Sequence, residues 1–247
     1  KGMKWSDGEP FTADDITFWF DDIASNKELN PVFPSWLAPG GVPGKAKKID
    51  DYTVELSFTQ PHGLILEFLA INWIFAPKHY LKQFHPKYAD QKKLEEEAKK
   101  AGFNTWYQYF QNRNDWIQNP DLPTIRAWKP ANPPDSKVWI MERNPYYWKV
   151  DTAGNQLPYI DRITHELVTN AEMVTMKAVA GELDMQLRHI NFLDYTLLKE
   201  NEKKGEYRVI RWIPALGADV GIFVNQNVKD PELKKLFTNI RFRQALS

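Results

Sequence analysis

Between Lys137 and Val168 the chain holds two extended segments joined by a connection that no regular element can cross. Asn144-Pro145, Gly154-Asn155 and Pro158 each interrupt helix and strand, because proline removes a donor and fixes φ while Asn and Gly favour turns. On the near side, Lys137 to Glu142 alternates Val138, Ile140 and Glu142 with Trp139 and Met141. On the far side, Arg162 to Val168 carries Ile163, Glu166 and Val168 in extended company. Both read as strands. The aromatic run Tyr146, Tyr147 and Trp148 inside the connection reads as an anchor onto a core, the usual use of clustered aromatics.

Upstream, Met3 and Trp5 alternate with Lys4 before a Ser6-Asp7-Gly8 turn. Thr12 is a good helix N-cap, and Asp14 and Asp15 place carboxylates in the first turn, where the helix dipole favours them. Ile16, Trp19, Phe20 and Ile23 recur at helical spacing, so residues 13 to 24 are expected to be one helix with that face buried and Asp14, Asp21 and Asp22 in solvent. Asn26 to Gly44 is rich in proline and glycine and reads as loop, with Trp36 inside it. Lys47 to Thr59 reads as strand or hairpin, and Leu64 to Ala70 as a helix-like apolar run. Gln91 to Ala101 is a solvated helix, and a further helix capped by Asn104 carries a Trp106, Tyr109, Phe110 stripe.

Asn119-Pro120-Asp121-Leu122-Pro123 breaks the chain, and a domain boundary is expected there, dividing 1–120 from 121–247. Past it, helices over 171–180, 191–199, 231–237 and 240–247 alternate with expected strands over 183–187, 207–213 and 220–225. That alternation argues an α/β fold.

The 32 Lys and Arg balance 32 Asp and Glu, which gives no support to nucleic acid or an acidic membrane surface as partner. Without cysteine there is no disulfide, thiol catalysis or thiolate metal site. No nucleotide-binding loop, hydrolase elbow or zinc-protease motif is present, and His62, His79 and His85 lack metal-ligand spacing. No catalytic residue, metal site or cofactor is expected. Ten tryptophans are more than an ordinary core of this size needs, and a minority can form a stacking surface.

Three stretches resemble one family. Lys4-Trp-Ser-Asp-Gly-Glu-Pro-Phe-Thr-Ala-Asp-Asp-Ile16 is similar to the signature that opens domain II of the family 5 extracellular solute-binding proteins. Asn144-Pro-Tyr-Tyr-Trp148 with Leu157-Pro-Tyr-Ile-Asp-Arg-Ile163 resembles a segment of their first lobe. Met176 to Asp184 resembles the family's helix and Gly-Glu-Leu-Asp strand, and Phe223-Val-Asn225 with Asn239 to Leu246 resembles the strand and helix that lead into the second lobe. The resemblance implies a type II periplasmic-binding-protein fold, with the first lobe and the family's extra domain present. It also implies an internal piece of a longer protein, without the second lobe.

The family's members are receptors of ABC importers for peptides, nickel and oligosaccharides. The implied function is capture of an oligopeptide outside the cytoplasm, with an oligosaccharide as the alternative ligand and an ABC permease as partner. Periplasmic or extracellular placement, a lipid anchor in the parent and a monomeric state go with it. The resemblance puts Trp36 and Trp73 on the wall of the ligand cleft, and Phe223 and Asn225 on the strand before the hinge. Core packing is the competing explanation for each. The competing function classes are a carbohydrate hydrolase, which needs two carboxylates facing one cleft, and an interaction module without a small ligand.

Overall fold

The computed structural model describes residues 2–212 and 221–246, and the chain divides into two compact units, Lys1–Leu167 and Val168–Ser247. In the first unit the elements are α1 (Ala13–Phe18), β1 (Lys45–Asp50), β2 (Thr53–Ser57), α2 (Ile65–Ile71), α3 (Lys78–Leu81), α4 (Gln91–Lys100), α5 (Trp106–Arg113), β3 (Trp128–Pro130), β4 (Val138–Arg143) and β5 (Arg162–Glu166). β1 and β2 form an antiparallel hairpin, and β3, β4 and β5 form a separate antiparallel sheet in that order. One sheet therefore precedes the proline-rich break and the other follows it, while the compact units divide at 167/168. The break itself is packed: Asn119, Leu122 and Thr124 are buried, Ser6 N donates to Thr124 O at 2.9 Å, and Thr124 N donates to Ser6 Oγ at 3.0 Å.

The start of α1 follows the capping expectation and goes beyond it. Thr12 accepts from Asp14 N, and Thr12 N donates back to Asp15 Oδ2 at 2.9 Å, a reciprocal capping box. Asp15 is buried, and it also accepts from Trp5 Nε1 at 3.1 Å and from Lys78 N at 3.1 Å. One carboxylate thus ties the opening turn, α1 and α3 together. Burial pushes its pKa up against the pull of those three donors.

The helix does not stay α-helical to residue 24. From Trp19 to Ala24 it widens into a π-helical segment, with Ser25 N donating to Phe20 O. Each wider turn rotates the buried face, so the period read from the sequence fails there. Phe18, Phe20 and Ile23 are buried, whereas Ile16 and Trp19 are only half-buried. Asp22, expected in solvent, is buried and satisfied by Lys87 Nζ at 2.6 Å and by the Tyr88 hydroxyl. Phe18 joins Leu81, Leu94, Trp106 and Phe110 in the main core. α5 is capped by Thr105, not Asn104, because Thr105 Oγ1 accepts from Gln108 N.

β4 and β5 pair over Val138↔Glu166 to Glu142↔Arg162. The aromatic run beyond them is not buried. Tyr146 and Trp148 are exposed, and with Lys4 they wall a hollow of about 470 Å³. Tyr146 closes over Gly8, where φ is +93° and an added Cβ would stand 3.2 Å from the ring. Glycine is required there twice, by backbone and by space.

The second unit holds α6 (Ala171–Val179), α7 (Tyr195–Gly205), α8 (Pro231–Thr238) and α9 (Ile240–Leu246). Asn170 caps α6 and Gly181, at φ +76°, ends it. The strands expected over 183–187, 207–213 and 220–225 do not form among the described residues, and residues 213 and 220 lie outside them. Apolar alternation marks extended backbone, but a strand exists only where a neighbour accepts its hydrogen bonds. Met185, Ile210, Trp212, Ile222 and Phe223 on these segments are all exposed.

Candidate functional site

The loop after the first helix ends in a short 3₁₀ turn, Ser35–Leu37, set by proline on its N-terminal side and anchored by the fully buried Leu37. That turn presents the half-buried Trp36 to α2. Trp36 and Phe68 lie 5.8 Å apart at 34°, and His62 meets Phe68 at 5.8 Å edge-on. His62 Nε2 stands 2.6 Å from the carbonyl oxygen of Trp36. A carbonyl can only accept, so Nε2 carries a proton and donates it. With Ser35, Ile71 and Asn72 these groups line an open hollow of about 600 Å³.

The face of α2 beside the hollow is apolar and exposed. Ile71, which lines it, is 75% exposed, and α2 buries none of its residues. Asn72 Nδ2 donates to Phe68 O at 3.0 Å, which caps the helix end and leaves its side-chain oxygen free to accept. Flat aromatic faces, an aliphatic wall and a few hydrogen-bonding groups suit a solute of mixed polarity, such as a peptide or a sugar chain.

The next residue along the chain starts a second arrangement. Trp73 is 44% exposed and stacks on Phe75 at 5.2 Å. Its other neighbour is Arg126, whose guanidinium carbon lies 3.9 Å from the Trp73 centroid and 4.2 Å from that of Trp116. The cation is therefore covered by an indole from each of two segments. Arg126 Nε is buried and donates to no acceptor. Burial lowers its pKa, and no neighbouring carboxylate opposes that shift. Trp116 continues onto Trp139 of β4 at 6.2 Å.

The backbone that carries Arg126 is fixed by Asn144. This side chain is fully buried, and its Nδ2 donates to Thr124 O at 3.2 Å and to Arg126 O at 3.0 Å. Its backbone N–H donates to Ala127 O at 2.9 Å, and its Oδ1 accepts from Tyr146 N at 2.9 Å. The Asn-Pro-Tyr signature thus acts as a clamp on the strand entry at 124–127.

Of the residues expected at a site, Trp36 lines the larger hollow and Trp73 forms the indole–guanidinium stack. Phe223 and Asn225 belong to the second unit, in a stretch without regular structure. Phe223 is 96% exposed, and Asn225 Oδ1 accepts only the local N–H of Asn227. Sequence reasoning missed His62 as a partner of Trp36 and missed Arg126 and Asn144. Their signal was an Asn inside the 144–148 motif and a lone arginine between two proline-bearing segments. Among the described residues no group of three His, Asp or Glu side chains could hold a metal ion, and no helix is long and apolar enough to cross a membrane.

Known proteins share this sequence and fold. The chain is 36% identical over 187 residues to a periplasmic alpha-galactoside-binding protein of Rhizobium meliloti, covering 75% of this chain and 25% of that one. A solved oligopeptide-binding protein OppA superposes with a TM-score of 0.83 at 46% identity, over 100% of this chain and 40% of that one. The periplasmic binding protein MelB of Agrobacterium fabrum C58, solved with stachyose, gives a TM-score of 0.62 at 31% identity over 81% of this chain and 28% of that one. The matched stretches thus span between a quarter and two fifths of the length of these relatives. The model of the bacterial extracellular solute-binding proteins, family 5 Middle, matches residues 1–247, and the chain belongs to that family.

Proposed function

We propose that this chain is part of an extracytoplasmic receptor that captures oligopeptides and hands them to an ABC permease in the membrane. The observation that carries this reading is the open hollow of Trp36, His62 and Phe68 beside the exposed apolar face of α2. A monomer would leave such a face to the core unless a ligand or another lobe met it. Receptors of this kind bury most of a ligand between two walls, and one wall is what Trp36 and α2 offer. Family membership and the likeness to an oligopeptide-binding protein support the ligand class.

An oligosaccharide is the second reading. It is favoured by the paired aromatic faces of Trp36 and Phe68 and by the relatives that bind an alpha-galactoside or stachyose. Both readings make the chain a binding protein and not an enzyme, located in the periplasm or outside the cell, with a lipid anchor and a monomeric state as further parts of the proposal. The division of the family member near residue 120, into an extra domain and part of the first α/β lobe, is kept with it.

Calorimetric titration of the full-length protein with tri-alanine and with stachyose, followed by product analysis, tests this. Stoichiometric binding of tri-alanine with both probes recovered intact is expected. Binding of stachyose alone would move the proposal to the oligosaccharide reading, and cleaved product would replace it with a hydrolase.

A further inference from the structure

Arginine carries five N–H donors in a rigid fork and stays protonated at any pH a protein tolerates. In folded proteins the fork is ordinarily met by carboxylates or carbonyls. At Arg126 it is met by rings: the guanidinium carbon lies 3.9 Å from the Trp73 centroid and 4.2 Å from that of Trp116. No described residue accepts from the guanidinium or forms an ion pair with it, and the buried Nε is left without an acceptor. Two indoles this close crowd the group, and its hydrogen-bonding capacity lies along the N–H edge. Because Arg126 is half-exposed and Nε is buried, the accessible part of that edge is the pair of Nη nitrogens.

The position is held through the backbone. Asn144 grips the backbone on both sides of Arg126, and Arg126 N donates to Thr124 Oγ1 at 3.1 Å. Trp73, which holds the cation, directly follows Asn72 of the Trp36 hollow in the chain. A fixed, partly desolvated and unpaired guanidinium is matched by one chemical group above others, a planar carboxylate that can take two parallel hydrogen bonds.

We propose that the Nη edge of Arg126, packed against Trp73 and Trp116, is a subsite for a carboxylate of the solute and selects acidic solutes over neutral ones. The proposal rests on the solute-receptor reading above. The carboxylate can belong to a peptide terminus or to a uronic acid, and both present the same fork-shaped acceptor.

The test uses the full-length protein and four probes: tri-alanine, tri-alaninamide, trigalacturonate and stachyose. Each acid is compared with a neutral counterpart in wild type and in Arg126→Gln. The expected result is a loss of about tenfold or more in affinity for at least one acid in the variant, with the neutral probes within about twofold. Which acid responds identifies the source of the carboxylate. Equal losses for acid and neutral probes, or no loss at all, would overturn the subsite. If Arg126→Gln lowers the melting temperature sharply, Arg126→Lys carries the test, since it keeps the charge but not the planar fork. Its expected signature is a smaller preference for the acid, and an unchanged preference counts against the proposal. Wild type that binds neutral and acidic probes alike overturns the subsite and leaves the receptor reading standing, whereas wild type that binds none of the four overturns both.

Discussion

At the scale of single residues, exposure separates the two roles an aromatic can play. Trp36 is half-buried, with one ring neighbour in Phe68 and its carbonyl held by His62. The carbonyl contact survives any side-chain change. Trp36→Ala is therefore expected to cost about 1 kcal/mol of stability, well short of the ~3–5 kcal/mol of a fully buried aromatic. Affinity for the solute should fall by about tenfold or more, because the widest apolar surface of the hollow is gone. Thermal melts and titrations of the full-length variant measure both. A large drop in melting temperature at unchanged affinity would make Trp36 a core residue. Trp36 was legible in the sequence as an aromatic stranded in a proline-rich loop. Arg126 was not, because one basic side chain among 32 has no meaning until the fold brings two indoles against it.

At the scale of elements, the strand entry at 124–127 depends on a side chain from the far end of β4. Asn144→Ala removes two donors and one acceptor from a site with no exposure, leaving the carbonyl of Arg126 and the N–H of Tyr146 to find other partners while Thr124 O keeps only Ser6 N. Each buried group left unpaired costs about 1–3 kcal/mol, so a loss of about 3 kcal/mol is expected, or roughly 6–12 °C in the melting of a unit this size. Asn144→Asp keeps the acceptor for Tyr146 but not the donors, and should recover only a minor part of that loss. Full recovery would show that the clamp acts through Tyr146 alone. The elements around this point were readable because their signals were local: alternation in β4 and β5, caps at Thr12 and Asn170, glycine at the end of α6. The π-helical turn after Phe18 was not, since an insertion of one residue per turn leaves no composition mark. Asp22 looked solvated at α-helical spacing and is instead carried inward to Lys87 and Tyr88. The strands expected in the second unit failed for a different reason. Alternation specifies an extended chain, and the partner that makes it a strand is not encoded in the same stretch.

At the scale of the whole molecule, the first unit has a core of ring and aliphatic side chains, while the second leaves its apolar residues largely in solvent. Phe192 is 75% exposed, Leu193 86% and Phe223 96%, and α8 and α9 bury none of their residues. Isolated helices of this length are marginal in water, and most helical stability comes from burying an apolar face. The relatives are about two and a half to three times as long, with room for such a cover. If the same added chain also supplies a second wall to the proposed solute site, closure excludes water from the polar contacts made by Arg126 and Asn72. Losing half of a typical ~−8 kcal/mol of binding energy moves a micromolar site to about millimolar, so one wall alone should hold its solute weakly. The stability of the second unit and the affinity of the site are thus expected to change together. Produced alone, the 247 residues should bind an apolar fluorescent dye such as anilinonaphthalene sulfonate, and should lose the protection of α8 and α9 in hydrogen exchange while α5 and the β3–β4–β5 sheet keep theirs. In the full-length protein the dye signal should vanish and α8 and α9 should exchange slowly. Equal protection of α8 and α9 in the two proteins would show that the second unit is stable as it stands, and would leave the weak binding of the short chain without this cause.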